Sequence, residues 1–286
     1  MSRTAGVNVT LRRPPLRVAL PGAVVALYVL AATLGPLLVP YDASQTNVAE
    51  RLLPPGTTLV GGSTAWFGTD QVGRDLLAQV LAGARVSLVV AAATIVLGGA
   101  LGLVLGLLAG YFGRWIDSVV MRLGDIQLAF PSILLAILIA GVLGPSVGNV
   151  ILTLAVTRWV VFARVVRASV LVARRRESVD GAKVLGVPTV RILWRYILPD
   201  VLGSLLVVAT VQVGLMIIAE ASLSFLGLGV PTSQASWGST IAAGRDYLDS
   251  AWWIAAVPGL AMAVLVVCVG VLGDALRHRT DPTVDL

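Results

Sequence analysis

Residues 87–111 read SLVVAAATIVLGGALGLVLGLLAGY, without one charged side chain. About 20 apolar residues, each rising about 1.5 Å, bridge a hydrocarbon core of about 30 Å. The stretch therefore reads as a membrane-spanning helix. Its glycines, Gly98, Gly99, Gly102, Gly106 and Gly110, fit that reading. In water a glycine costs a helix about 1 kcal/mol against alanine. In lipid, small residues let two helices approach closely, so the row reads as a helix–helix seam.

Five further stretches share this character: Val18–Val39, Val119–Leu143, Val147–Ala163, Val201–Leu226 and Ala251–Gly273. The segment 119–143 carries Arg122 and Asp125, the segment 147–163 carries Arg158, and Glu220 stands near the outer end of 201–226. The whole chain agrees: of its 286 residues 57% are hydrophobic and 13% charged, where a soluble domain carries about 25% charged residues. Mean hydropathy is +0.91. The fold class expected is an all-α polytopic membrane protein with six transmembrane helices. The first stretch follows an arginine-rich segment as a signal peptide does, but its apolar run exceeds the roughly 7–15 residues of a signal core. It is read as a retained helix. Cys268 is the only cysteine and is read as a small packing residue.

Lysine and arginine set the orientation. With the N-terminus inside, the inner segments hold Arg3, Arg12, Arg13, Arg17, Arg114, Arg164, Arg167, Arg174, Arg175, Arg176, Lys183, Arg191, Arg195, Arg277 and Arg279. The outer segments hold only Arg51, Arg74, Arg85 and Arg245. The positive-inside rule therefore places both termini in the cytoplasm. The same rule accounts for the net charge of +6, so the charge does not argue for nucleic acid. Trp66, Trp115, Trp237, Trp252 and Trp253 lie near predicted span ends and read as an aromatic belt in contact with membrane lipid.

Two outer loops are long, Pro40–Val86 and Gly227–Ser250, and one inner segment, Arg164–Pro199, is long and basic. Within it Val179, Ala182, Val184 and Leu185, then Ile192, Leu193 and Ile197, repeat with helical spacing. Gly186 suits the left-handed residue that closes a helix, and Pro188 the first turn of the next. Two short helices joined by a tight turn result. An amphipathic element lying on anionic lipid and a docking surface for a soluble partner fit this pattern equally well.

Catalytic patterns are missing. A phosphate-binding loop needs Gly-Lys-Ser/Thr, yet the one lysine, Lys183, follows Ala182. The one histidine, His278, cannot build a metal site alone. The chain is read as a non-enzyme without cofactor of its own, so any ATPase that drives it must be another chain. Glu220 is the exception in an apolar stretch. A charge in the hydrocarbon costs about 3 kcal/mol unless it faces water or a partner. Glu220 is therefore expected to point into the bundle or a pore, with Arg158, Arg122, Ser222, Ser224 or a sister subunit as partner. Helix packing and the translocation path are both open roles for it.

The inner segment Asp180-Gly-Ala-Lys-Val-Leu-Gly186, followed by Leu198-Pro199, resembles the EAA loop of ABC importer permeases. Asp180 and Gly181 stand where that family has Glu and Ala. A longer ordered set is more specific: Gly68-Thr-Asp-Gln-Val-Gly-Arg-Asp75, Gly83-Ala-Arg-Val-Ser-Leu88, Gly110-Tyr-Phe-Gly113, Asp125 through Ala129-Phe-Pro131, Glu220-Ala-Ser-Leu-Ser-Phe-Leu-Gly-Leu-Gly229, Ser236-Trp-Gly238, Pro258-Gly259, Leu272-Gly-Asp274 and Asp281-Pro282. This set is similar to the dipeptide/oligopeptide permease C-subunit family. The resemblance implies a type I ABC importer permease fold in the bacterial inner membrane. It implies a sister permease, ATP-binding subunits that hold ATP and Mg, and an extracytoplasmic substrate-binding protein that delivers peptide. It implies an N-terminal part over 1–78, a permease core over 79–286, and an ATPase-coupling segment over 170–199 that contains Asp180, Gly181, Ala182, Gly186, Leu198 and Pro199. A nickel importer of the same family and an ATP-independent secondary transporter are the alternatives.

Overall fold

The computed structural model describes residues 16–38, 46–231 and 233–280. Arg3, Arg12, Arg13 and the Asp281-Pro282 pair lie outside them. Helices dominate: α1 (Leu16–Leu38), α2 (Leu76–Phe112), α3 (Arg114–Leu128), α4 (Ser132–Leu143), α5 (Val147–Ala173), α6 (Glu177–Val184), α7 (Thr189–Ile192), α8 (Leu198–Phe225), α9 (Trp237–Gly244) and α10 (Trp253–Thr280). Two short strands, β1 (Thr57–Thr58) and β2 (Thr64–Ala65), pair antiparallel in the outer loop. By length and composition, α1, α2, α5, α10 and the continuous stretch from α7 through α8 can each cross a membrane.

The sixth expected span is two helices. α3 and α4 meet at 88°. Pro131 has no N–H to give the ladder and disfavours helix at Phe130, so α3 stops at Leu128 and the chain turns. α3 carries the charges. Arg164 of α5 pairs with Asp125 at 2.6 Å, and Arg167 of α5 pairs with Asp117. These pairs also correct the end of the fourth span. Arg164 and Arg167 do not stop α5 at Ala163; the helix continues through them to Ala173, because partners on α3 receive them.

α2 likewise begins before the predicted Ser87. Asp75 caps it by accepting the Ala78 N–H at 2.8 Å, which satisfies one orphan donor of the first turn. Its outer turns support a folded cap made by residues 46–75. In that cap Thr69 Oγ1 donates to the Glu50 carbonyl at 2.5 Å, and Trp253 Nε1 donates to the Thr69 carbonyl at 3.2 Å. Leu76, Ala251, Trp253 and Ile254 form the small core beneath it.

The glycine row is the seam between α2 and α5. A Cβ on Gly102 would lie 2.5 Å from Phe162 Cβ, and one on Gly106 would lie 2.6 Å from the Ala163 carbonyl oxygen. Gly110 faces Val170 in the same way. The two helices run parallel, and only glycine permits their backbones to approach so closely.

Candidate functional site

The inner element is built from helix ends. α6 ends at Leu185 with Gly186 at φ +73°. The Val187 N–H donates to the Ala182 carbonyl and the Gly186 N–H to the Lys183 carbonyl, both at 3.0 Å. This is the Schellman pattern that a left-handed glycine closes. Pro188 precedes the first turn of α7 as its N-cap residue and is not within it. Val179, Ala182, Ile192 and Ile197 are buried against Val166, Val170 and Ala173 of α5 and Val201 of α8. The base of the element is thus fixed to two spanning helices.

Its tip is open. Val184 and Leu185 are 87% and 83% exposed, and Val190 is exposed beside them. Val184 and Leu185 belong to a helical repeat whose members Val179, Ala182, Ile192 and Ile197 pack inward. The tight turn instead turns them outward, next to exposed Gly181, Lys183 and Gly186. Asp180 is exposed in the middle of α6 and pairs with Lys183 at 2.9 Å. It does not cap the helix, whose N-cap is Arg176. Ala182 is buried; Leu198 and Pro199 begin α8.

A π-helical turn, Leu193–Ile197, joins α7 to α8, and the Leu198 N–H donates to the Leu193 carbonyl. Pro199 explains the widening: it offers no N–H, and its ring crowds the carbonyl one turn back. Helix therefore runs unbroken from Thr189 to Phe225. Asp200, at its start, pairs with Arg176 at the foot of α6, and Arg174 donates to the Gly110 carbonyl at 2.9 Å, closing the inner end of α2.

Glu220 lies at the other end of this rod and is fully buried. Neither Arg158 nor Arg122 reaches it. Ser87 of α2 donates to Oε2 at 2.7 Å and Ser224 donates to Oε1 at 2.8 Å. Ser222 donates to the Ile218 carbonyl instead. Ser224 Oγ also accepts the Val230 N–H at 3.1 Å, and Ser236 caps α9 close by. Beside this knot, Trp237 Nε1 donates to the Val80 carbonyl at 2.9 Å, and the ring is met edge-on by Tyr28 of α1. Ser87 and Ser236 were legible only as parts of the two motifs that contain them.

The α5 and α8 walls rising from the element bound a groove of about 710 Å³, lined by Val161 and Val165 on one side and Gly203, Val207 and Gln212 on the other, with Asp200 and Arg277 at its inner mouth. Glu220 is not among its lining residues.

The sequence matches, over residues 102–284, the family described as binding-protein-dependent transport system inner membrane component. The chain belongs to this family. It is a multi-pass membrane protein of a transport system. Among its relatives, a Brucella suis protein provisionally named a peptide transport system permease protein is 42% identical over 95% of this chain and 89% of its own length. A dipeptide transport system permease protein of Alkalihalophilus pseudofirmus is 38% identical over 91% and 83%. A di/tripeptide transport system permease protein of Pseudomonas aeruginosa is 37% identical over 90% and 84%. The fold is shared with a chain of the methionine ABC transporter MetNI in inward-facing conformation, with TM-score 0.57, 18% identity, and coverage of 71% of this chain and 97% of that one.

Proposed function

We propose that the chain is one permease subunit of an ATP-driven, binding-protein-dependent importer of short peptides. The observation that carries the proposal is the α6–α7 element: a small, tightly closed projection on the basic side, with an apolar tip, rooted in α5 and α8. A surface-lying lipid element buries its apolar face in the interface; this one buries its apolar face in the protein and presents Val184 and Leu185 to the cytoplasm. Asp180, Gly181, Lys183, Val184, Leu185 and Gly186 form the surface that enters a cleft of the ATP-binding subunit. Leu198 and Pro199 set the angle at which α8 leaves it. Within the organisation proposed for the chain, this is the coupling segment, 170–199, of a core that runs over 79–286. ATP and Mg are held by the ATP-binding subunits, a sister permease completes the pore, and an outer binding protein supplies the substrate. The substrate class follows the relatives, which are named for dipeptides and di/tripeptides. Glu220 ties α2, α8 and the loop leading to α9 together at the outer end and takes no part in the path.

The test is reconstitution in proteoliposomes with the partner subunits and binding protein. Gly186→Val puts a β-branched residue at φ +73°, where L-residues are strained by about 1–2 kcal/mol, although no neighbour lies within 4 Å of its Cβ. The expected result is ATP-dependent peptide uptake by the wild type and loss of uptake or of ATPase association in the variant. Normal uptake and normal ATPase stimulation by Gly186→Val would overturn the coupling role.

A further inference from the structure

Toward the outer end of the groove between α5 and α8 two buried polar atoms lack partners, one on a residue that lines the groove and one on α5 just beyond the lining. Gln212 of α8 is 5% exposed and lines the groove, and its Oε1 is buried with no hydrogen-bond donor. Arg158 stands on α5 one turn outward from Val161, on the stripe it shares with Val161 and Val165, because residues three and seven apart lie on one helix face. Its Nε is also buried without a partner. No carboxylate among the described residues lies within ion-pair range of it. Arg158 is about 16 Å along α5 from Val147, so it sits deep in the membrane and away from the headgroups. An arginine there is costly and is kept where it meets water or an anion.

A lone cation asks for an anion, and a lone amide oxygen beside the same groove asks for a donor. The free end of a short peptide offers both, a planar carboxylate and the N–H of its last peptide bond. The guanidinium matches a carboxylate with two parallel bonds. A volume of about 710 Å³ falls within the range that takes a ligand of this size.

We propose that Arg158 and Gln212 form a transit subsite for the C-terminal end of the transported peptide: the Arg158 guanidinium pairs with its carboxylate and Gln212 Oε1 accepts its last N–H. The subsite rests on the importer reading above and adds to it a residue that distinguishes substrates within the membrane. It lies on the two helices that flank the coupling element, so movement of that element opens or closes it.

The experiment compares uptake of trialanine and trialanine amide by the complete complex in proteoliposomes with saturating binding protein. Arg158→Gln is expected to lower trialanine uptake and the preference for the free carboxylate by about tenfold, the worth of one charge-assisted pair. Stimulation of ATP hydrolysis by the loaded binding protein is expected to persist. Arg158→Lys, which keeps the charge and loses the fork, is expected to fall between. Val161→Trp, which fills the groove, is expected to slow both peptides. An unchanged preference in Arg158→Gln overturns the subsite. So does loss of assembly in Arg158→Gln that Arg158→Lys restores without any change of preference, since the arginine then pairs with a neighbouring subunit. A wild-type complex that hydrolyses ATP and takes up neither peptide overturns the importer reading itself, and the subsite with it.

Discussion

Glu220 is a carboxylate buried in a membrane protein without a cation beside it. Two serine hydroxyls, from α2 and from its own helix, take both oxygens. Each hydroxyl left without an acceptor in such a place costs about 1–3 kcal/mol. Glu220→Leu strands Ser87 and Ser224 and is expected to lower the melting temperature of the purified complex clearly, whereas Glu220→Gln keeps an acceptor and is expected to melt within a few degrees of wild type with uptake retained. Equal melting of the Leu variant and the wild type would refute the knot. Asp180 is the opposite case. Its pair with Lys183 is exposed and three residues apart, and such pairs contribute about 0.2–1 kcal/mol. Asp180→Asn is therefore expected to leave stability unchanged, so a fall in ATPase stimulation in that variant reports a contact with the partner. That Glu220 points inward was legible in the sequence from cost alone. Its partners were not, because Ser87 lies 133 positions away and nothing local distinguishes a bonding serine from a packing one.

Among the elements, the seam of α2 and α5 was legible because glycine in a lipid-facing helix has few uses other than close approach. It predicts a contrast between two glycines. Gly102→Ala places a methyl 2.5 Å from Phe162 Cβ and 2.7 Å from the Trp159 carbonyl oxygen, whereas Gly203→Ala meets nothing within 4 Å. Overpacking of this kind costs about 1–3 kcal/mol. Gly102→Ala is expected to reduce folded yield and melting temperature, and Gly203→Ala to change neither; similar yields would show that the seam relaxes. The bend between α3 and α4 was not legible as a bend. Hydropathy averages across Pro131, and a proline within an apolar run marks a kinked span as readily as a broken one. The outer turns of α2 were missed for another reason: their support is the cap of residues 46–75, which no local pattern announces. That Val184 and Leu185 stand exposed was not legible, because a helical repeat does not show where Gly186 ends the helix.

For the whole molecule, the α6–α7 element proposed to couple the ATPase is a connection between levers. α5 leads into it, and α7, the π turn and α8 lead out of it as one helical rod. A displacement at the tip therefore moves both walls of the groove together, while the knot at Glu220 anchors the far end of α8. The orientation on which this depends has a direct check. In a Cys268→Ser background, Val60→Cys in the outer cap and Val184→Cys at the tip are both 87% exposed positions. A membrane-impermeant maleimide is expected to label Val60→Cys in intact cells and Val184→Cys only after the membrane is opened. The reverse result would invert the topology.

The break at Pro131 also bears on how the chain is made. α4 is 12 residues long, about 18 Å, which is short of a full crossing. Asp117 and Asp125 of α3 find their arginines 50 and 39 positions later in the chain. At about 5–20 residues per second of synthesis, those acids wait several seconds for Arg167 and Arg164 to emerge. During that interval α3 has charges that hydrocarbon does not accept, so it is expected to rest at the inner face of the bilayer. α3 is then expected to dock only once α5 has been threaded inward, so that the third and fourth crossings are completed together.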